Sequence, residues 1–348
     1  MLTGEPYIPL NITVHLGLPN ENAPNVTVPF PDYIKNVASS EIYPTWPESS
    51  LRANIYAIVS FALNRIYTEW YRSQGYPFDI TSETQYDQKF IEGRQVYENI
   101  ATLVDELFDD YIRREGRIEP LFAAFCNGTT VTCSGLSQWG TVTLANQGLV
   151  PFEILQHYYG EDIEIVRNAP VRTYTQSYPD ELLGPGSSGQ AVQTIQIQLN
   201  RISRNYPAIP KIPDASGQFD TATEDAVRKF QQIFDLSPTG IVNKSTWYRI
   251  AYIYTSVKRL AELDSEGITM NEFPMQFTEN LVPEMRNEQV RGLQYFLAVV
   301  GAYYESVLPI EITGVYDEQT EASVLSFQQV YGLRETGIVD EETWNDLY

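Results

Sequence analysis

Carboxylates are the plentiful acid–base groups of this 348-residue chain, with 45 Asp and Glu against 2 His and 2 Cys. Two histidines and two cysteines do not build the usual four-ligand zinc site unaided, and a Ser-His-Asp triad would have to use His15 or His157. Among the carboxylates Glu41, taken on its own residues, reads as a solvated turn carboxylate, although its helical setting is defined. Ile34, Val37 and Ala38 share one face of a helix opened by Pro31-Asp32, and Glu41 stands seven residues beyond Ile34 and four beyond Val37. That spacing puts a carboxyl group on an apolar face near a helix end. A general acid must hold its proton near neutral pH, which requires burial or an unfavourable field. Cys126 and Cys133 bracket a six-residue Asn-Gly turn. The spacing is open to a disulfide across a hairpin, to free thiols or to a metal, although no histidine neighbours the pair. His157, in a Tyr-rich amphipathic stretch, reads as a structural histidine.

The elements that must position these residues follow from hydrophobic period. Thr45-Trp46-Pro47-Glu48 has the capping-box pattern, with Thr45 as N-cap and Glu48 in the closing position. Behind it Leu51, Ile55, Ile58, Val59, Ala62, Ile66 and Trp70 predict a helix of about six turns. A second long helix is expected from Val96 through Leu107 to Tyr111, stopping near Gly116, then a strand over Ile118–Phe125 and a turn at Cys126–Thr129. Gln138 to Gln147 reads as a helix ended by Gly148. Helices with a small sheet make this an α+β domain.

The C-terminal half is a tandem duplication. Gly217–Trp247 reappears 97 residues later as Gly314–Trp344, and 15 of the 31 positions are identical. Each copy predicts three helices. Val192, Ile195, Gln196 and Leu199 mark the first, repeated with a one-residue slip by Val290, Leu293, Gln294 and Leu297. A Gly-Asp turn, a helix with Val227 and Phe230, a Thr-Gly-Ile-Val turn and a short helix from Thr246-Trp247 complete the unit. These motifs resemble the peptidoglycan-binding domain 1 family. The repeated Phe, Val and Trp are core, so the resemblance puts glycan contacts on loops, at Ser187, Ser188 and Asp220. Copy 1 has the family's leading loop, Leu183-Gly184-Pro185-Gly186-Ser187-Ser188-Gly189, where copy 2 has Glu284-Met285-Arg286-Asn287-Glu288.

A second resemblance covers roughly residues 31–166. Val37-Ala38-Ser39-Ser40-Glu41-Ile42-Tyr43-Pro44 with Leu51-Arg52-Ala53-Asn54, and Gly135-Leu136-Ser137-Gln138-Trp139-Gly140 with Ile154-Leu155-Gln156-His157-Tyr158-Tyr159, resemble the signature blocks of the stage II sporulation protein D family. With Phe125-Cys126-Asn127-Gly128 and Thr132-Cys133, the arrangement is most similar to the clostridial germination-specific spore-cortex-lytic enzymes. The resemblance implies a lytic transglycosylase of spore-cortex peptidoglycan that needs no cofactor. It implies Glu41 as the single acid and base, with Ser40, Tyr43, Ser137, Gln138 and Trp139 against the substrate; Ser137 to Trp139 equally suit a packed helix start. Where the broader family has Ala-Arg-Thr, this chain has Ile58-Val59-Ser60. The implied division is a transglycosylase domain at 1–170 and peptidoglycan-binding domains at 171–264 and 265–348.

Two other readings compete. A hydrolase of the same glycosidic bond would need a second carboxylate, such as Asp87 or Glu92. A catalytically silent wall-binding or spore-structural protein would fit the missing arginine motif. The net charge of −22 leaves no basic stripe for nucleic acid or anionic membrane and disfavours a carboxylate-rich wall relative to cortex, where lactam formation removes peptide stems. Met1-Leu2-Thr3-Gly4-Glu5 starts no signal peptide, yet the resemblance implies a spore or extracytoplasmic cell-wall location and an activating germination protease as partner.

Overall fold

The computed structural model describes residues 6–131, 133–269, 272, 280–286, 288–304 and 306–347. It divides into two compact units, Met1–Thr269 and Met270–Tyr348. Thr132 and Asn287, within motifs quoted above, lie outside the described residues.

The first unit begins with strands that periodicity did not announce. β1 (Ile8–Pro9), β2 (Asn11–His15) and β3 (Asn25–Pro29) precede α1 (Phe30–Glu41), and β2 pairs antiparallel with β3, Val14 facing Val26. α2 (Glu48–Tyr67) follows. Its residues from Ala53 to Tyr67 are all buried, as expected of a helix apolar all round. Thr45 is not its cap. Pro47 occupies the N-cap without a side-chain bond, and Glu48 instead pairs with Arg52 at 2.7 Å, so the capping-box reading is corrected. A proline at that point fixes an extended φ, which starts the helix without a hydroxyl.

β4 (Ile80–Thr81) joins β2 in parallel. α3 (Glu98–Leu107) is shorter than expected, because the chain turns into β5 (Tyr111–Arg114). Asp110 breaks the helix. Its carboxylate accepts from the Asn168 N–H at 3.0 Å and from Arg167 at 2.9 Å, tying the turn to the far end of the domain. The strand expected over 118–125 shrinks to β6 (Phe125–Cys126), parallel to β7 (Leu136–Ser137). Pro120 has no N–H, and Ala123 and Ala124 bond back to Leu121 and Phe122, which curls the segment instead of laddering it. α4 (Gln138–Asn146) and α5 (Pro151–Tyr159) then pack on α2, and β8 (Ile163–Val166) pairs antiparallel with β5. β9 (Val171–Arg172) returns to β1 in parallel.

Copy 1 of the repeat, α6 (Gln190–Ser203), α7 (Thr221–Ile233) and α8 (Lys244–Lys258), belongs to the same compact unit. Copy 2, α9 (Glu288–Tyr303), α10 (Glu318–Tyr331) and α11 (Glu341–Leu347), has its own core of Leu293, Leu297, Val324, Phe327 and Trp344. In both copies one glutamine closes the first turn. Gln196 Nε2 donates to Gln218 O and Thr223 Oγ1, both at 2.8 Å, and Gln294 Nε2 donates to Val315 O and Thr320 Oγ1, both at 2.9 Å. The one-residue slip in the sequence therefore keeps the function of that side chain. Asp220 and Asp317 cap α7 and α10 through Thr223 N and Thr320 N. Gly240 and Gly337 both take a left-handed φ, 76° and 65°, at which a side chain would be strained. The architecture is thus mixed α/β with small sheets and helical copies at the C-terminal end.

Candidate functional site

Glu41 ends α1, half-buried, and each of its carboxylate oxygens has a donor. The Lys89 N–H donates to Oε1 at 2.9 Å and the Gln138 side-chain amide to Oε2 at 3.3 Å. Both donors are themselves anchored. Gln138 is 2 % exposed at the start of α4, and its carbonyl accepts from Thr141 Oγ1 at 2.6 Å. Thr141 Oγ1 in turn lies 2.6 Å from Ser50 Oγ and accepts from Asn54 Nδ2 at 2.9 Å, which locks the turn to α2.

Lys89 is held by a clamp of buried polar residues. Asp87 pairs with Arg65 at 2.8 Å and accepts from Tyr71 Oη at 2.6 Å and Thr81 Oγ1 at 2.7 Å. Gln88, fully buried, accepts from Tyr33 Oη at 2.9 Å and donates to Ile58 O at 3.0 Å. Burial, followed by the Asp87 and Glu41 charges, holds the Tyr33 hydroxyl well above its ordinary pKa, so it remains a donor. Further along, Asn36 brackets Ile91 with two bonds, and Arg94 reaches Ser39 O. The segment from Asp87 to Arg94 is thereby pinned along the last turns of α1. The Arg65 guanidinium also lies over the Phe122 ring at 4.8 Å and the Trp70 ring at 5.1 Å.

An aromatic face adjoins the carboxylate in sequence and in space. Tyr43, Trp46 and Trp139 form a triangle with ring centroids 5.7, 5.8 and 4.9 Å apart. Trp46 is buried, whereas Tyr43 is 58 % and Trp139 42 % exposed. Exposed aromatic rings of this kind offer planar apolar faces to a sugar ring. Trp46 was concealed in the sequence by its place inside a capping-box pattern. The Lys89 N–H has no side-chain signature at all.

The other candidates fall into two groups. Ser137 Oγ caps α4 by accepting from the Gly140 N–H at 3.0 Å, and a Cβ at Gly140 would overlap the Tyr158 hydroxyl. Ser40 Oγ donates back to Asn36 O at 2.9 Å. Ser187, Ser188 and Asp220 are set in copy 1 and not around Glu41. Ser187 Oγ accepts from Gly184 N at 3.1 Å, Ser188 bridges Gln218, and Asp220 caps α7. Cys126 and Cys133 form a disulfide. His15 has both ring nitrogens engaged, with Asn25 Oδ1 and Leu18 O, and stacks on Phe78. His157 is exposed and edge-on to Tyr158, and it lies outside the Glu41 cluster. Among the described residues no group of three or more His, Cys, Asp and Glu is placed to hold a metal ion. No helix among them is long and apolar enough to cross a membrane.

Comparison with known proteins identifies the C-terminal copies. Residues 188–250 and 286–347 each match the peptidoglycan binding domain family, so the chain carries two such domains. The zinc D-Ala-D-Ala carboxypeptidase of Streptomyces albus G is 37% identical over 68 residues, 20% of this chain and 25% of the relative. The chain thus spans about a quarter of the length of that curated relative. No solved structure matches the chain. The two domains make peptidoglycan a partner and associate the protein with the cell wall.

Proposed function

We propose that this protein is a lytic transglycosylase of spore-cortex peptidoglycan, acting in germination, with a catalytic domain at 1–170 and wall-binding domains at 171–264 and 265–348. Glu41 is the single catalytic residue of the proposal. As an acid it protonates the oxygen of the MurNAc–GlcNAc β-1,4 bond, and as a base it then takes the proton of the muramic-acid C6 hydroxyl. That oxygen closes on C1, giving a 1,6-anhydro end without a water molecule. One carboxyl group suffices for this sequence, whereas hydrolysis usually employs a pair.

The observation that carries the reading is the setting of Glu41. Its Oε1 is fixed by a backbone donor, its Oε2 by the longer contact to Gln138, and the Tyr43–Trp46–Trp139 face lies alongside. In this proposal Oε2 carries the transferable proton and Tyr43 and Trp139 stack on the sugar. Asp87 does not serve as a second carboxylate, because it is buried and spent on Arg65, Tyr71 and Thr81. Ser60, at the position of the missing arginine motif, is buried and accepts from the Ile112 N–H, a structural use.

Mass spectrometry of digested cortex tests the proposal. Anhydro-muramoyl ends are expected; reducing ends would indicate hydrolysis, and intact glycan a binding protein. Glu41→Gln is expected to lower cleavage by about 10³-fold or more while sedimentation with peptidoglycan persists. Full activity in that variant would remove Glu41 from the mechanism. Spore location and activation by a germination protease belong to the same proposal.

A further inference from the structure

A cleft of about 850 Å³ lies within the first unit, between the turn at Arg72–Pro77 and the start of α8. None of the residues around Glu41 lines it. Arg72, Lys244 and Arg249 do, together with Tyr76, Tyr248 and Tyr252, and no Asp or Glu is among its lining residues. In a chain with 45 acidic and 23 basic residues, that is a local reversal of sign. Arg72 pairs with Asp79, outside the cleft wall, at 2.8 Å. Among the described residues neither Lys244 nor Arg249 has a carboxylate partner; Lys244 Nζ meets only the Gln176 amide at 3.5 Å and the Tyr248 ring at 6.0 Å. The positive end of the 15-residue α8 opens at Lys244 and adds to the field.

The repeat supplies an internal control. Advancing by 97 residues, Lys244, Ser245 and Arg249 of copy 1 become Glu341, Glu342 and Asp346 of copy 2. Thr246 and Trp247, between them, stay Thr343 and Trp344. The interior of the helix is thus kept while its outer face changes sign. A fold requirement does not account for that, since the two copies share one fold with opposite charges at Lys244/Glu341 and Arg249/Asp346.

We propose that this cleft binds the carboxylate-bearing peptide stem of peptidoglycan, its aromatic rings lying against the stem or its sugar and Lys244 and Arg249 taking the free carboxylates. The inference rests on the wall-directed reading above and adds a site separate from the cleavage centre. Stems that survive between lactams would then be held by copy 1 while stem-free glycan reaches Glu41.

Isothermal titration calorimetry of the full chain with a disaccharide-tetrapeptide fragment, and with the stem-free disaccharide as reference, tests it. Lys244→Glu with Arg249→Glu should weaken stem binding by at least about tenfold and abolish its salt dependence, while the reference titration is unchanged. If the reversed variant unfolds, Lys244→Gln with Arg249→Gln is expected to give a smaller loss of the same kind. Equal stem affinity in variant and parent overturns the site, and an equal loss for the stem-free fragment overturns the carboxylate assignment. The calorimetry does not depend on Glu41. Normal cleavage by Glu41→Gln would sink the transglycosylase reading and leave the cleft standing, and unchanged stem binding would do the reverse.

Discussion

Copy 1 and copy 2 of the repeat share an interior and differ in what surrounds it. Gln231 and Gln328 show the shared part. Gln231 Nε2 donates to Ile241 O at 2.9 Å and Thr246 Oγ1 at 3.1 Å, and Gln328 Nε2 donates to Ile338 O at 2.9 Å and Thr343 Oγ1 at 3.0 Å. Each Oε1 accepts from the following turn glycine, Gly240 N or Gly337 N. Copy 1, however, is joined to the N-terminal domain. Asn64 Nδ2 donates to Leu260 O and Glu69 accepts from the Ser177 N–H, while Glu119 accepts from the Ile268 N–H in the segment that follows α8, each at 2.8 to 2.9 Å. Copy 2 is a compact unit of its own. A duplicated module has therefore been used once as part of a larger compact unit and once as a separate one.

The largest effect that tests this contrast comes from the buried glutamines. Gln231→Ala and Gln328→Ala each leave several backbone groups unpaired, at a cost of about 2–4 kcal/mol. Calorimetry should show Gln328→Ala lowering only the transition of copy 2, with cleavage of soluble glycan unchanged. Gln231→Ala should lower the transition that includes the N-terminal domain and reduce the proposed cleavage with it. Equal effects on cleavage from both variants would remove the distinction between the copies.

These same residues show what could be read in the sequence. The fold of the copies was legible because a buried amide, a hydroxyl and a turn glycine must all be present to close each network, so identity survives at 15 of 31 positions. The place of Glu41 at the end of α1 was legible from its spacing, whereas its proposed role came from the family resemblance. Its partner Lys89 was not, because a backbone N–H can belong to any residue. Asp87, a carboxylate that the competing hydrolase reading would need, is paired with Arg65, 22 residues earlier, and no local pattern announces that pair. The docking of copy 1 was equally hidden, since Asn64, Glu119 and Ser177 make no local pattern with the residues they meet.

Glu119 tests the joint at intermediate magnitude. Burial raises its pKa, although the Ile268 N–H and Ser265 hydroxyl partly oppose that. A carboxyl raised on folding contributes stability that is present below its unfolded value and lost as pH rises through the folded one. At neutral pH Glu119→Gln, which keeps an acceptor for Ile268 and removes the charge, should leave the first unit as stable or more stable and flatten its pH dependence above the ordinary carboxyl range. Glu119→Ala leaves that N–H unpaired and should cost about 1–3 kcal/mol. A greater loss in Glu119→Gln than in Glu119→Ala would mean that the charge itself holds the joint.

Acid should separate the copies by the smallest margin. Asp220 caps α7 and Asp317 caps α10, and the Thr223 and Thr320 N–H groups hold both carboxyls below the usual range. At the third helix the copies diverge. Asp340 accepts from the Thr343 N–H at 2.9 Å and is likewise lowered, whereas copy 1 has Asn243 doing the same for Thr246. A depressed carboxyl contributes stability present above its unfolded pKa, near 3.9, and lost as pH falls through the folded value. Copy 2 therefore has two titrating caps and copy 1 has one. Followed by calorimetry between pH 6 and pH 2, the copy 2 transition should lose stability as the pH drops below about 4, and Asp340→Asn should shrink that loss while changing stability at pH 7 by only a few tenths of a kcal/mol. Asn243→Asp should make copy 1 more acid-sensitive in the same range. If Asp340→Asn left the acid loss of copy 2 unchanged, the caps would not be its source, and the difference between the copies would rest on docking alone.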